Sequence, residues 1–216
     1  MNLEAKKIEF AKKYPAAKDI LSFLSFAAAV AFGVFVLNNF VFRSYNVIGG
    51  SMENTLHSRD RVIVNRLPVT WAHFLGEEYV PKRGQIVVFA NGGNGELKSC
   101  EPQAGITDQY IIKRVIAFPG ERVQVKDGVL TVFNEDHPEG FHPDDDTRKS
   151  DTDGPKAFTS GSVDIIVPEG ELFVSGDNRE GSNSLDSRSG LGTIPYCRFI
   201  GPAAIRILPL SQIRTF

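Results

Sequence analysis

The chain has 216 residues, 42% of them hydrophobic and 23% charged, which is enough for one folded domain with its own core and excludes a chain disordered throughout. Its formal net charge of −2 lacks the basic footprint of a nucleic-acid binder, so no nucleic-acid partner is expected. Cys100 and Cys197 are too few and too far apart for a disulfide framework or a zinc site, and His57, His73, His137 and His142 lack metal-ligand spacing, so neither a metal nor another cofactor is called for.

The first element is the uncharged run Ile20 to Leu37, ILSFLSFAAAVAFGVFVL, eighteen residues long. A helix rising 1.5 Å per residue crosses a hydrocarbon layer of about 30 Å with such a run and its flanks. A cleavable signal peptide would have a shorter apolar region and a small-residue exit, and the residues after Leu37 fit neither. The other alternative is a buried core helix. Lys6, Lys7, Lys12, Lys13 and Lys18 precede the run, whereas only Arg43 comes after it before Arg59. Basic residues stay on the cytoplasmic side. The predicted layout is therefore a cytoplasmic segment at 1–19, one transmembrane helix at 20–42 and an extracytoplasmic domain at 43–216.

That domain reads as mainly β. Short Val- and Ile-rich runs bounded by turn formers occur at Arg61 to Asn65, Gln85 to Ala90, Tyr110 to Phe118, Val129 to Phe133 and Val163 to Val167. Val123 to Val125 and Val129 to Phe133, joined through Lys126-Asp127-Gly128, predict a hairpin. With the loop after it, this hairpin makes an excursion at about 122–172. No helical period of comparable strength occurs beyond the apolar run. Trp71, Phe74 and Tyr79 belong either to a membrane-interface contact or to a loop packed on the domain. Asn91 to Asp108 and Asn134 to Gly161 interrupt the strands, and the second has the polar, acidic composition of a mobile surface loop. The cysteines could pair in an oxidising compartment.

Three segments could carry chemistry. Gly49 to Leu56, GGSMENTL, lets a serine hydroxyl project from a tight turn while its own N–H faces a bound carbonyl, although a Gly-Gly-Ser alone is usually a plain turn. In Tyr110 to Val123, YIIKRVIAFPGERV, adjacent Lys113 and Arg114 fall on opposite faces of a strand, so one charge must meet apolar surroundings. Burial lowers a lysine pKa and makes it a general base; the alternative is an edge strand whose charged heads reach water. Ser175 to Gly192, SGDNREGSNSLDSRSGLG, offers Asp177, Arg179, Asp186 and Arg188 as internal ion pairs, and otherwise suits a solvated loop.

Taken together, these segments resemble the signal peptidase I family. Gly49 to Leu56 matches its Gly-x-Ser-Met-x-x-Thr-Leu segment. Lys113, Arg114 and Val115 with Pro119 and Gly120 match its Lys-Arg-Val strand, and Gly176 to Arg179 with Asp186 to Arg188 match its Gly-Asp-Asn-Arg and Asp-Ser-Arg pieces. Arg83 to Val87 resembles its Arg-Gly-Asp-Ile-Val strand. The matches keep the family's order after an N-terminal membrane segment.

The resemblance implies a domain of two antiparallel sheets forming a distorted, partly open barrel. It implies a Ser51 nucleophile, a Lys113 general base, an oxyanion site from the backbone of Ser51 and Gly49, and a Ser184 hydroxyl that orients the lysine. Arg114 would pair with Asp177, while Asp186 and Arg188 would brace the site. Three departures stand out. Gln85 replaces the aspartate, EGSNSL is two residues longer than usual and leaves Ser182 as an alternative to Ser184, and Gly49 stands where many members carry a serine.

The implied activity is removal of signal peptides from secretory preproteins by acyl transfer, after small residues in an Ala-x-Ala-like pattern. The implied setting is a plasma-membrane bilayer near the protein-export translocon. About ten residues separate the apolar run from Ser51, which holds the nucleophile within a few tens of ångströms of the bilayer. Two rivals are a repressor-type Ser-Lys autoprotease, which would begin with DNA-binding helices, and a non-catalytic membrane-anchored β-rich binding domain.

Overall fold

The computed structural model describes residues 15–91, 100, 109–145, 147 and 153–216. The lysines at 6–13 and most of the Asn91 to Asp108 excursion lie outside the described residues. The chain divides into two compact units, Met1–Val41 and Phe42–Phe216.

In the first unit, helix α1 (Pro15–Val36) runs into a π-helical turn at Leu37–Val41. The segment Lys18–Val41 is long and apolar enough to cross a membrane, and none of its most apolar stretch is buried by protein. The Asn39 side-chain amide donates to the Phe35 carbonyl within this unit.

The second unit is mainly β. Strands β1 (Phe42–Asn46), β2 (Arg61–Asn65), β3 (Ile86–Asn91), β4 (Gln109–Ala117), β8 (Glu171–Ser175), β9 (Ile194–Pro195), β10 (Phe199–Leu208) and β11 (Arg214–Thr215) form an eight-stranded antiparallel sheet in the order β1-β2-β10-β3-β4-β8-β9, with β11 on β10. β5 (Arg122–Lys126), β6 (Val129–Phe133) and β7 (Val163–Ile166) form a second antiparallel sheet in the order β6-β5-β7. The main sheet curls without closing. β1 and β4 share no ladder, yet the Tyr45 and Tyr110 rings meet across the gap at 5.1 Å. The expected two-sheet, partly open architecture is present. The predicted hairpin forms too, with Asp127 and Gly128 at φ of 53° and 81°.

One helix was not expected. α2 (Leu67–Leu75) begins where Asn65 Oδ1 accepts the Leu67 N–H, carries Pro68 in its first turn, and ends at Gly76, whose N–H bonds back into the last turn. Nine residues are too few to display a helical period. Trp71, Phe74 and Leu75 on this helix stay largely exposed, whereas Tyr79 beyond it is partly buried against the domain core and its hydroxyl donates to Gln85, so the packed alternative holds for Tyr79 and not for Trp71 or Phe74.

The stretch after β6 also differs from the expected mobile loop. Phe141 pairs with Val132 through two backbone hydrogen bonds, and Asp144 is buried. Cys100 and Cys197 form a disulfide that ties the β3–β4 connection to the turn before β10.

Three apolar clusters fix the frame. Val87, Phe89, Val115, Leu172 and Phe199 form one, while Ile116, Val123, Leu130, Val132 and Phe173 join the two sheets in another. Val47, Met52, Leu56, Val62, Ile86 and Ala203 form the third, which includes the residue next to Ser51 in the chain. β4 therefore has core on both faces, and Lys113 and Arg114 are both buried rather than one of them.

Candidate active site

The serine turn is held by its own neighbours. Met52 and Leu56 enter the core, the Thr55 and Leu56 N–H groups donate to the Met52 carbonyl, and the Thr55 hydroxyl donates to Asp177. The Met, Thr and Leu of the SMENTL stretch thereby act as anchors that leave Ser51 at the edge of a cavity of about 420 Å³. Ile48, Val62, Val88, Ile112 and Leu185 give that cavity its apolar wall, and Lys113 lines it beside Ser51.

Lys113 Nζ lies 2.7 Å from Ser51 Oγ and donates to the Ile112 carbonyl at 3.0 Å. Burial lowers the Lys113 pKa to about 8, against the opposing pull of the Asp186 and Asp177 charges. A buried amine in direct contact with a hydroxyl can accept its proton near neutral pH, which activates the oxygen as a nucleophile.

Arg114 faces the opposite side of β4 and forms a two-pronged pair with Asp177, Nε to Oδ1 at 2.8 Å and an Nη to Oδ2 at 2.5 Å, while its other Nη donates to the Gly84 carbonyl. Both partners are buried, and removing one from such a pair costs about 3–5 kcal/mol. Asp186 accepts from the Gly176 N–H at 2.9 Å, from Ser184 Oγ at 2.7 Å, and from the Arg188 guanidinium at 2.8 and 3.0 Å. Burial works against its ionisation, but the Arg188 and Ser184 hydrogen bonds outweigh that and hold the carboxyl below the usual range.

Ser184 is buried and Ser182 exposed, so of these two only Ser184 sits inside the polar cluster. Its hydroxyl donates to Asp186, while the hydrogen bonds of Lys113 among the described residues go to Ser51 and Ile112. Gly176 permits the close approach of these parts, because a Cβ there would overlap Ser184 Oγ and the Ser51 carbonyl oxygen. Gly49 lies two residues before Ser51. The Ser51 N–H makes no hydrogen bond among the described residues and remains available to a bound oxygen. Gln85 is structural here, since its amide oxygen accepts from the Lys82 N–H and the Tyr79 hydroxyl.

Sequence reasoning offered Arg179 for an ion pair but missed its partner Asp144, and it missed Asn178. Arg179, fully buried, forms a two-pronged pair with Asp144 at 2.8 and 2.9 Å, joining the stretch after β6 to the acidic segment. Nothing in the run Asp144 to Asp146 distinguishes a buried acid from a solvated one. Asn178 grips the serine turn, and its only signal was its place in the Gly-Asp-Asn-Arg segment. Among the described residues no group of His, Cys, Asp and Glu is arranged to hold a metal ion.

Known proteins resemble this chain along most of its length. The family model described as "Signal peptidase, peptidase S26" matches residues 18–208. A signal peptidase I of Bacillus amyloliquefaciens is 34% identical over 194 residues, 88% of this chain and 91% of that protein. From Bacillus subtilis (strain 168), signal peptidase I T is 32% identical, covering 92% of each chain. Signal peptidase I S of the same strain is also 32% identical, covering 89% of this chain and 93% of its own.

Proposed function

The chain belongs to the signal peptidase, peptidase S26, family and is a serine peptidase that removes signal peptides, and we propose that it does so with Ser51 as nucleophile and Lys113 as general base. The observation that carries this reading is the 2.7 Å contact between Lys113 Nζ and Ser51 Oγ, both of which line an apolar cavity. Neutral Lys113 takes the Ser51 proton, Oγ attacks the scissile carbonyl, and the Ser51 N–H, with a donor from Gly49, stabilises the oxyanion. The proton then passes from Lys113 to the leaving amine, and Lys113 next deprotonates a water that releases the acyl group. Ser184, whose hydroxyl donates to Asp186, is assigned the orienting of Lys113 by its place in the buried polar cluster, while the Arg114–Asp177 and Asp186–Arg188 pairs keep the segments in register. The non-catalytic alternative leaves a buried amine against a cavity-edge hydroxyl unexplained.

The substrates on this reading are secretory preproteins, cut after small residues. The cavity between the end of β1 and the start of β4 is walled by branched apolar side chains and suits short aliphatic groups. Incubation of the full-length protein with a preprotein, followed by sequencing of the new N-terminus, should give a single cut after an alanine-rich tripeptide. Scattered cuts, or none, would remove the assignment.

The lysine asymmetry favours an N-terminus in the cytoplasm and a catalytic domain outside, close to the export translocon. A tag before Lys6 should survive protease in sealed right-side-out vesicles, and a tag after Phe216 should be digested; the reverse pattern would separate the enzyme from its substrates. Lipid contact has further support in the strand register. Phe42, which comes directly after Val41 in the chain, pairs with Asn65, two residues before α2, and Trp71 and Phe74 on that helix are 60% and 80% exposed. Aromatic side chains favour the headgroup layer.

A further inference from the structure

Ser51 has one neighbour that holds it from both sides. The Asn178 backbone N–H donates to the Ser51 carbonyl at 3.0 Å, and the Asn178 side-chain Nδ2 donates to the Gly50 carbonyl at 3.0 Å. One residue therefore grips the peptide plane before the nucleophile and the plane after it. The Gly50 carbonyl also accepts from the Glu53 N–H, at 3.2 Å, within the turn itself. Asn178 Oδ1 is buried without a partner among the described residues, so the amide is fixed by its nitrogen alone. The opposite rotamer would set two oxygens against each other.

The Gly50–Ser51 peptide is trans, so its C=O and N–H point in opposite directions. Holding the carbonyl on the Asn178 side turns the Ser51 N–H to the other side. That N–H has no hydrogen bond among the described residues, and Ser51 lines the cavity. Gly49 brings no hydroxyl to the oxyanion, so backbone donors must carry the charge, and their value depends on being fixed before reaction. We propose that Asn178 is the positioning residue of the oxyanion site: by gripping the Gly50 and Ser51 carbonyls it aims the Ser51 N–H at the developing oxyanion.

The proposal rests on Ser51 being the nucleophile, and its test separates the two. Full-length, detergent-solubilised protein and its Asn178→Ala and Asn178→Asp variants are compared on an alanine-ended peptide substrate across pH. Both side-chain variants lose the Nδ2 donor and keep the backbone N–H. Two probes are added, a peptide aldehyde and the matching peptide alcohol. Ser51 Oγ adds to the aldehyde carbon, its proton passes to neutral Lys113, and the carbonyl π electrons become an oxyanion; the alcohol has no carbonyl and binds without this step.

The expected result is a fall in kcat of about a hundredfold, the scale for a small misplacement of a catalytic donor. KM should stay within about twofold, the pH midpoint should not move, and aldehyde affinity should fall by the same factor as kcat while alcohol affinity is kept. A folded variant with kcat within about threefold of the parent overturns the proposal. So does a loss carried by KM and alcohol affinity, or one explained by a moved pH midpoint, which would mean action through the substrate pocket or Lys113. If neither variant folds, Asn178 serves the fold and the proposal is likewise overturned. Failure of the nucleophile reading would show differently, as a Ser51→Ala chain that still cleaves or a parent chain indifferent to the aldehyde.

Discussion

Ser51→Ala is expected to fold as the parent chain does and to leave precursor uncut. The substitution removes one oxygen at the edge of an open cavity and leaves the anchors Met52, Thr55 and Leu56 in place. Its structural cost is the loss of one hydrogen bond to Lys113, about 1 kcal/mol. The catalytic cost is of another order. Without a covalent intermediate, only binding and oxyanion stabilisation remain, and losses on the order of 10⁶ in kcat accompany removal of a serine nucleophile. Cleavage assays beside thermal denaturation check this. A folded Ser51→Ala chain with a tenth of parental activity would place the nucleophile elsewhere.

Lys113 supplies the second large effect, and its two consequences have opposite signs. Lys113→Arg and Lys113→Met should both be inactive, since a guanidinium cannot give up its proton in a protein and a thioether is no base at neutral pH. Lys113→Met should nonetheless be more stable than the parent at pH 7. The lysine has a folded pKa of about 8 against an ordinary 10.5, with burial as the leading cause. Below pH 8 both folded and unfolded chains carry the charge, and the folded chain bears its full desolvation cost. Between pH 8 and 10.5 the unfolded chain binds more protons, so stability rises with pH across that window and the penalty is gone above it. Allowing for two lost hydrogen bonds, Lys113→Met gains roughly 1 kcal/mol at neutral pH. Parent activity should climb through pH 8, because about a tenth of the lysine is neutral at pH 7. Measuring kcat/KM and Tm against pH for parent and variants tests both statements. An ascending limb near 10.5, or an active Lys113→Arg, would remove Lys113 as the base.

The legible parts of the fold were those whose local pattern and burial agree. β2 and β6 coincide with their predicted bounds, and β4 is displaced by one residue at each end. β1 was hidden because FRSYN is a polar edge strand attached to an apolar run, which drew Phe42 into the predicted span. β10 was hidden because Gly201-Pro202 looks like an end of structure, whereas the sheet accommodates it with register shifts against β2 and β3. In the site, the apolar strand showed that Lys113 or Arg114 must meet apolar surroundings, but only the resemblance joined Ser51 to Lys113 and Arg114 to Asp177, and the structure brings the members of each pair together. Asp144 was not, since its burial depends on an arginine 35 residues away and on the Phe141–Val132 pairing that folds its segment back. Composition registers a run of aspartates only as hydration.

The dyad joins residues 62 apart in sequence, and the Arg114–Asp177 pair spans 63. A chain delivered from its N-terminus thus presents Ser51 first, Lys113 much later, and the residues that hold both only after Arg188 has emerged. Until then Lys113 lacks the enclosure that lowers its pKa, and the serine turn lacks the Thr55–Asp177 and Asn178 contacts that shape it. Closure of the Ser51–Lys113 contact therefore waits on the segment from Ser175 to Arg188, which lies more than sixty residues beyond the lysine in chain order.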